Sequence, residues 1–415
     1  MPTAQHRLRP PMSQAHPARR TSARQVADGI WMSEGLSNSY LVTTLDGRVV
    51  VNTGMGFESG LHRANFDDVD TSPTRYVIVT QGHFDHVGGV DTFLEPDTDL
   101  VAQANFDVWR SDNERLQAFR TDRSAFAFMT RVMDGIAEAK ANGRVPGQSR
   151  PEPTITFEDR LELHLGGRHL HLIATPGGET TDSLVIWIPE DQTLLSGNMF
   201  GPLFGHVPNL VTLRGDRYRD ALAYVASLDA VLDLAPERLI TGHFDPIEGA
   251  DVIAAEITAM RDATQFIHDR TVDGMNSGAD VHTLMREIRL PDDLDVGEGY
   301  GTVAWNVRAI WENYAGWFHH RSTAELYSTP STEVAPDVVG LAGADALVDA
   351  AQARLGGGER AAAIHLTDLV LATEPTHAGA IAVATEAHRQ LLAASTNFWE
   401  SAWLQRAIER LESTR

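Results

Sequence analysis

The sequence predicts an α/β domain followed by an all-helical domain. Up to residue 241 the chain contains short runs of β-branched and other apolar residues separated by turn residues, which is typical of strands. Beyond Asp337 the apolar residues recur at helical spacing instead. At 415 residues the chain exceeds one ordinary domain. We therefore expect two domains, residues 25–270 and residues 271–415, preceded by a disordered arm of residues 1–24.

The strands are predicted from seven apolar runs, each bounded by turn residues. Turns such as Asp46-Gly47 separate the first runs. A helix is predicted over residues 223–234, and Gly356-Gly357-Gly358 separates two of the C-terminal helices. The predicted strands comprise residues 30–32, 39–43, 49–54, 76–80, 170–175, 184–188 and 238–241.

Four potential metal ligands directly follow the strand of residues 76–80. They are Gln81, His83, Asp85 and His86, and a Gly88-Gly89 pair then allows a sharp turn of the backbone. Imidazole nitrogens and carboxylate oxygens suit zinc, iron or manganese. Two His and an Asp within four residues indicate a metal site far more strongly than an isolated His would.

Three further candidate ligands follow later strands. Glu179 lies in a glycine-bearing turn after residues 170–175, Asn198 follows the apolar residues 193–197, and His243 follows residues 238–241 in a Gly-His pair. A glutamate in a turn is also common on ordinary surfaces. The neutral amide of Asn198 can coordinate weakly through its oxygen, but it brings no negative charge to hold two dications together.

Composition restricts the classes of ligand and the location. The chain has 34 basic and 57 acidic residues and a net charge of −23, which disfavours nucleic acid and anionic membranes as partners. It has no cysteine, so a metal must be held by nitrogen and oxygen atoms. Residues 1–24 contain no apolar core of signal-peptide length, and no window is apolar enough to span a membrane. We expect a cytoplasmic protein.

The motif from Gln81 to His86 resembles the His-x-His-x-Asp-His signature of the metallo-β-lactamase superfamily, with Gln81 in place of the first His. This resemblance implies an αββα sandwich of two mixed sheets with metals at one sheet edge. Residues 208–222, with Asn-Leu-Val-Thr-Leu-Arg-Gly, and residues 298–318 resemble segments of the linear alkylsulfatases. The C-terminal helices are similar to the dimerisation domain of that family, which implies a homodimer.

The resemblance also implies two metal positions. The first position would consist of Gln81, His83 and Glu179, the second of Asp85, His86 and His243, with Asn198 between them. The implied cofactor is Zn²⁺, one or two ions, with iron or manganese as alternatives. Gln81 and Asn198 depart from the family pattern, and Trp305 stands where the family has His. We therefore expect a weakened dinuclear centre.

Catalytic roles follow from the same resemblance. Arg214 would contact an anionic group of the substrate, because guanidinium matches tetrahedral oxyanions; the alternative is a structural pair with Asp216 or Asp220. Asp85 would bind metal and orient a water molecule. His206 is a candidate proton donor, with a plain loop histidine as the equal alternative.

We expect a hydrolase that uses metal-activated water on a small or medium organic ester with an anionic leaving group. The substrate would be a small molecule, and nucleic acid and membranes are not expected as partners. Two alternatives stay open: a mononuclear iron enzyme that uses oxygen, and a degenerate scaffold that binds without turnover.

Overall fold

The computed structural model describes residues 4–144 and 147–414. Two compact units divide the chain between Tyr314 and Ala315. The predicted boundary after residue 270 falls inside a long helix of residues 250–276, whose buried face includes Ile267 and Thr271 on either side of that point. The first unit therefore extends further than the sequence indicated, because this helix continues packing beyond the last strand.

Two mixed β-sheets form the centre of the first unit. In the seven-stranded sheet, strands one to seven lie in chain order, antiparallel at first and parallel from the fourth strand onward. In the six-stranded sheet, the order is β13-β12-β11-β10-β9-β8. The strands are β1 (Arg24–Ala27), β2 (Ile30–Ser33), β3 (Ser39–Thr44), β4 (Gly47–Val51), β5 (Thr74–Ile78), β6 (Asp99–Gln103), β7 (Ile155–Phe157), β8 (Arg160–Leu165), β9 (Arg168–Ala174), β10 (Leu184–Ile188), β11 (Thr193–Gly197), β12 (Arg238–Thr241) and β13 (Ile247–Glu248).

Helices cover the outer faces of both sheets. Those of the first unit are α1 (Ser59–Asp67), α2 (Phe84–Val87), α3 (Val90–Phe93), α4 (Phe106–Arg115), α5 (Gln117–Ala141), α6 (Ala221–Leu232), α7 (Ala250–Asn276), α8 (Val281–Glu287) and α9 (Val303–Ala315), which ends one residue past the unit boundary. Those that follow are α10 (Ala335–Ala342), α11 (Ala344–Gly356), α12 (Arg360–Thr373), α13 (Ala378–Ala394) and α14 (Phe398–Ser413). Among the helices of residues 4–144 and 147–414, none is long and apolar enough to cross a lipid bilayer.

The alternation of side chains along each strand builds the layers. In β9, Leu172 points between the two sheets, whereas its neighbour Ile173 packs in the cluster that holds α6 and α7. In β4, Val49 faces the other sheet and Val50 packs with Phe66 of α1. Both faces of each sheet are therefore buried, which gives the αββα sandwich that the sequence predicted.

The N-terminal segment does not behave as the expected disordered arm. Arg9 donates hydrogen bonds to the Thr241 hydroxyl at 2.9 Å and to the His243 carbonyl at 3.0 Å, and the Ala18 N–H donates to Glu58 at 2.7 Å. The composition of this segment favours disorder. Composition does not show which hydrogen bonds the segment makes to distant parts of the chain. The segment lies against the loop that carries His243.

The second unit is helical, as the sequence predicted. Alanine and larger apolar residues from α11, α12 and α13 form a small core, and Gly358 takes a left-handed φ of +81° between α11 and α12. The Asn397 side chain caps α14 by accepting hydrogen bonds from the N–H groups of Trp399 and Glu400.

Candidate metal centre

The candidate ligands lie on the segments that follow β5, β9, β11 and β12, with Asp85 and His86 in the short helix α2. The segment after β5 is held by two residues with unusual backbone conformations. Asn52 follows β4 with a φ of +56°, and its side-chain oxygen accepts the Thr80 N–H at 2.9 Å. Gly197 has a φ of +50°, and a Cβ there would lie 2.2 Å from the Thr80 hydroxyl. The backbone just before Gln81 is thus held from both sheets.

Asp85, His86 and His243 come together as a cluster with one ligand atom each, all within 4.8 Å of one another. Asp85 Oδ2 lies 3.7 Å from the Nε2 atoms of both histidines. Both imidazoles are buried, and burial lowers the pKa of His86 to about 4, so this ring is neutral and has a lone pair to give. His86 Nε2 finds no hydrogen-bond partner among the described residues.

A loop before β3 fixes the orientation of both rings. His243 Nδ1–H donates to the Leu36 carbonyl at 2.6 Å, which leaves Nε2 of His243 as the unprotonated nitrogen. The Ser37 hydroxyl lies 3.1 Å from His86 Nδ1. These contacts direct both Nε2 atoms toward Asp85. Two neutral imidazoles and a carboxylate suit a divalent metal ion such as Zn²⁺.

Glu58 holds the backbone of that loop through hydrogen bonds. Its carboxylate is buried and accepts hydrogen bonds from the backbone N–H groups of Ala18 at 2.7 Å, Leu36 at 2.8 Å and Met55 at 3.0 Å. Burial raises the pKa of Glu58 to about 7 against the opposite effect of these three donors. Glu58 therefore links the N-terminal segment to Leu36. The carbonyl of Leu36 in turn holds the His243 ring.

The other predicted ligands form a second cluster beside the first. Asn198 donates through Nδ2 to Glu179 Oε2 at 2.8 Å, and the Gln81 amide nitrogen lies 2.8 Å from His83 Nδ1. Burial alone would raise the pKa of Glu179, but nearby His83, Arg219 and Arg214 hold it well below its usual range. The structure thus brings all seven predicted ligands to one edge of the sheets.

Arg214 reaches this second cluster. Its Nη2 donates to His83 Nε2 at 2.9 Å and lies 3.1 Å from Asp216 Oδ2. Burial would lower the pKa of Arg214, but Asp216, Tyr300 and Glu179 outweigh it and raise the value. The structural pair with Asp216 is thus present, and the same guanidinium faces the candidate ligands, while its contact with a substrate anion stays a prediction.

A cavity of about 260 Å³ opens in front of both clusters. One face of α5 forms a wall of it, with lining residues three or four positions apart: Gln117, Arg120, Thr121, Ser124, Ala125, Phe128 and Val132. Asp85, His243, Glu179 and Arg214 form the polar end, and Met55 and Phe84 add apolar surface. The cavity therefore suits a molecule with one anionic end and one apolar end.

His206 and Trp305 lie outside the residues that line this cavity. His206 Nδ1 accepts the Gly299 N–H at 2.9 Å, and its ring packs edge-on against His6 at 5.8 Å. Burial lowers the pKa of His206 to about 4. This placement favours the loop-histidine interpretation of His206, because its ring holds the loop of Gly297 and Gly299, while a role as proton donor stays a prediction.

Several lining residues were missed from the sequence, foremost Trp109 and Arg120. The Trp109 ring stacks edge-on against His83 at 5.0 Å, and the Arg120 guanidinium lies 4.9 Å from the Trp109 ring centre. A Cβ on Gly82 would lie 2.1 Å from Trp109, so Gly82 in the ligand motif is needed for this packing. The periodicity of α5 was the only sequence signal for this wall.

Comparison with known proteins agrees with this geometry. The family model described as "Metallo-beta-lactamase superfamily" matches residues 32–243, more than half of the chain. The chain belongs to the metallo-β-lactamase superfamily. Residues 281–413 match the model "Alkyl sulfatase dimerisation". Both the resemblance predicted from the sequence and the predicted fold class are confirmed.

Relatives of this superfamily member include sulfatases. A linear primary-alkylsulfatase from a Pseudomonas strain is 27% identical over 391 residues, 89% of this chain and 73% of that protein. An alkyl/aryl-sulfatase of Saccharomyces cerevisiae is 25% identical over 93% of this chain and 63% of its own length. The structure of the stereoselective inverting sec-alkylsulfatase Pisa1 from Pseudomonas sp. matches with a TM-score of 0.81 at 22% identity, over 94% of this chain and 66% of that chain. These relatives are hydrolases of sulfuric esters, and they extend beyond the part that this chain covers.

Proposed function

We propose that this protein is a metal-dependent hydrolase of an organic ester that joins an apolar group to a small anionic acid such as sulfate. One observation carries the proposal: Asp85, His86 and His243 converge within 4.8 Å at the polar end of a cavity whose remaining walls are largely apolar. The names of the sulfatase relatives support the same class of substrate.

The three clustered residues would hold the metal ion, with Zn²⁺ as the first choice for this donor set. When bound, a divalent ion supplies Lewis acidity and lowers the pKa of a water molecule toward neutrality. Asp85 lies 3.7 Å from each histidine, and it also lines the cavity. Its side chain is therefore placed both to ligate and to accept a hydrogen bond from an attacking water.

Arg214 would bind the anionic end of the ester. Its guanidinium lines the cavity beside Glu179 and Asp216, and its charge stabilises negative charge that grows on the leaving acid. The apolar group of the ester would lie along Phe84, Phe128 and Val132. Arg120, which pairs with Asp216 at 3.5 Å, adds a second positive charge to the same wall.

Release of inorganic sulfate from primary and secondary alkyl sulfates tests the proposal. We expect turnover by metal-loaded protein and loss of at least about 100-fold in His243→Ala, because one of the three ligands is removed. His164→Ala, at an exposed position of β8, is the matched control and should keep wild-type turnover. Turnover that survives in His243→Ala contradicts the proposed centre. If the protein releases no sulfate from any alkyl sulfate but hydrolyses another ester, the leaving group of that ester replaces sulfate in the proposal.

One observation favours a second candidate. Two histidines and one carboxylate are also the ligand set of non-haem iron enzymes that use oxygen. Oxygen consumption by the iron-loaded protein in the presence of an organic substrate separates this candidate from hydrolysis. A protein that binds neither metal nor ester would instead be a degenerate scaffold.

We also propose a cytoplasmic homodimer that assembles through the C-terminal helices. The match of residues 281–413 to a dimerisation domain supports this assembly. Light scattering of the full chain after gel filtration should give twice the mass of 45.4 kDa. A single-chain mass at micromolar concentration contradicts the dimer.

A further inference from the structure

We infer that this protein holds one metal ion rather than two, because the side chains of the first metal position are bound to one another and to arginine. The inference rests on the proposed function, since it concerns the same centre, but it makes a separate statement about stoichiometry. The first position consists of Gln81, His83 and Glu179.

His83 cannot offer a lone pair to a metal while Arg214 is in place. The Arg214 guanidinium lies 2.9 Å from His83 Nε2, and a guanidinium can only donate. His83 Nε2 must therefore accept, and the ring proton belongs on Nδ1. That nitrogen lies 2.8 Å from the Gln81 amide, whose Oε1 has no other partner among the described residues and accepts the Nδ1 proton once the amide is turned. The single lone pair of the neutral ring is used by Arg214.

Glu179 is likewise satisfied without a metal. Its Oε2 accepts from Asn198 Nδ2 at 2.8 Å. Its Oε1 lies 3.8 Å from Arg214 Nη2 and 4.0 Å from Arg219 Nη2. The carboxylate is only 2% exposed, so its charge is compensated by these donors and not by water. A dication at this position would lie beside two guanidinium groups, and their repulsion is strong in a buried site.

The second position differs in charge and in its hydrogen bonds. It contains the carboxylate of Asp85 and two neutral imidazoles, and His86 Nε2 lacks a partner among the described residues. Asn198 Nδ2 lies 3.1 Å from His243 Nε2 but only 2.8 Å from Glu179 Oε2, so the amide can give up the contact with His243 and keep the hydrogen bond to Glu179. A metal at His243 Nε2 therefore replaces one contact with a neutral amide and, among the described residues, meets no guanidinium there.

Metal stoichiometry tests the inference independently of turnover. The full chain, freed of metal and then dialysed against Zn²⁺ or Mn²⁺, should retain about one equivalent per chain by elemental analysis. The double variant Gln81→His/Asn198→Asp adds an imidazole and a carboxylate beside Glu179, three ligands that do not include the His83 nitrogen bound by Arg214 and whose second carboxylate offsets the guanidinium charge, so it should gain a second equivalent. Gln117→His, which places an imidazole on another wall of the same cavity, is the matched control and should stay at one.

The measured metal contents test the one-metal inference and the hydrolase proposal separately. Two equivalents in the wild-type protein would overturn the one-metal inference and leave the hydrolase proposal standing. No bound metal would overturn both. A second equivalent in Gln117→His as well would overturn the assignment to the first position. If the double variant does not fold, the EPR spectrum of the Mn²⁺-loaded wild-type protein decides: an isolated ion supports the inference, and an exchange-coupled pair refutes it.

Discussion

Glu58 should make the stability of this protein fall as pH rises through neutrality. The carboxylate is buried, and burial raises its pKa from 4.5 to about 7 despite three backbone N–H donors. The folded state thus holds the Glu58 proton more tightly than the unfolded chain does. Stability from this group is fully present below the unfolded pKa and is lost as pH rises to the folded value.

The magnitude follows from the two pKa values. One pKa unit corresponds to about 1.4 kcal/mol, so the difference between 4.5 and about 7 is worth roughly 3.4 kcal/mol in total. Most of it, about 2.5 kcal/mol, is lost between about pH 5 and about pH 8. The perturbation is Glu58→Gln, because glutamine keeps the shape of the side chain and carries no titrating proton.

The effect is measured by urea denaturation at about pH 5 and about pH 8. The metal-free wild-type protein and Glu58→Gln are compared at each pH. The free energy of unfolding of the wild type, taken relative to the variant, should drop by about 2.5 kcal/mol on going to the higher pH. Other titrating groups are common to both proteins and cancel in this difference. A difference that stays constant with pH would refute the reasoning. It would mean that the three N–H donors outweigh burial and keep Glu58 ionised throughout.

Three further predictions concern the core, a helix cap and His206. Leu172→Ala leaves a cavity between the sheets and should lower the free energy of unfolding by about 2–5 kcal/mol in urea; a loss below about 1 kcal/mol contradicts the packing. Asp220→Ala removes the acceptor for the Ala223 N–H at the start of α6 and should cost about 1 kcal/mol by thermal unfolding, whereas no cost contradicts the cap. His206→Asn keeps an acceptor near Gly299 and should leave ester turnover unchanged, so loss of turnover would support His206 as a catalytic residue.

The ligand set could be predicted because it lies at strand ends. Each of the seven candidate ligands follows a run of apolar residues with glycine nearby, and such runs mark buried strands regardless of the rest of the fold. Resemblance then grouped the ligands into two positions, and the structure brings both groups to the same edge of the sheets. Short-range pattern was sufficient here because the ligands and their strands are neighbours in sequence.

The interactions that set the behaviour of those ligands depend on distant parts of the chain. Leu36 binds His243 across 207 positions, and Arg214 reaches His83 across 131. No local pattern indicates either contact. The N-terminal segment shows the same limit, since its composition suggests disorder while Arg9 donates to backbone near His243. His206 stayed open between a proton donor and a loop histidine for the related reason that motif proximity does not give side-chain direction.

The sequence by itself determined the superfamily, the layered fold and the identity of the candidate ligands, because these follow from periodicity and from residues that are adjacent in the chain. Only the tertiary structure decided which ligands still have lone pairs to offer. Arg214 donates to His83 Nε2 and the Asn198 amide donates to Glu179, whereas His86 Nε2 has no partner among the described residues. Hydrogen-bond capacity is finite and is used up by whichever groups the fold brings within about 3 Å, so it is a property of three-dimensional packing.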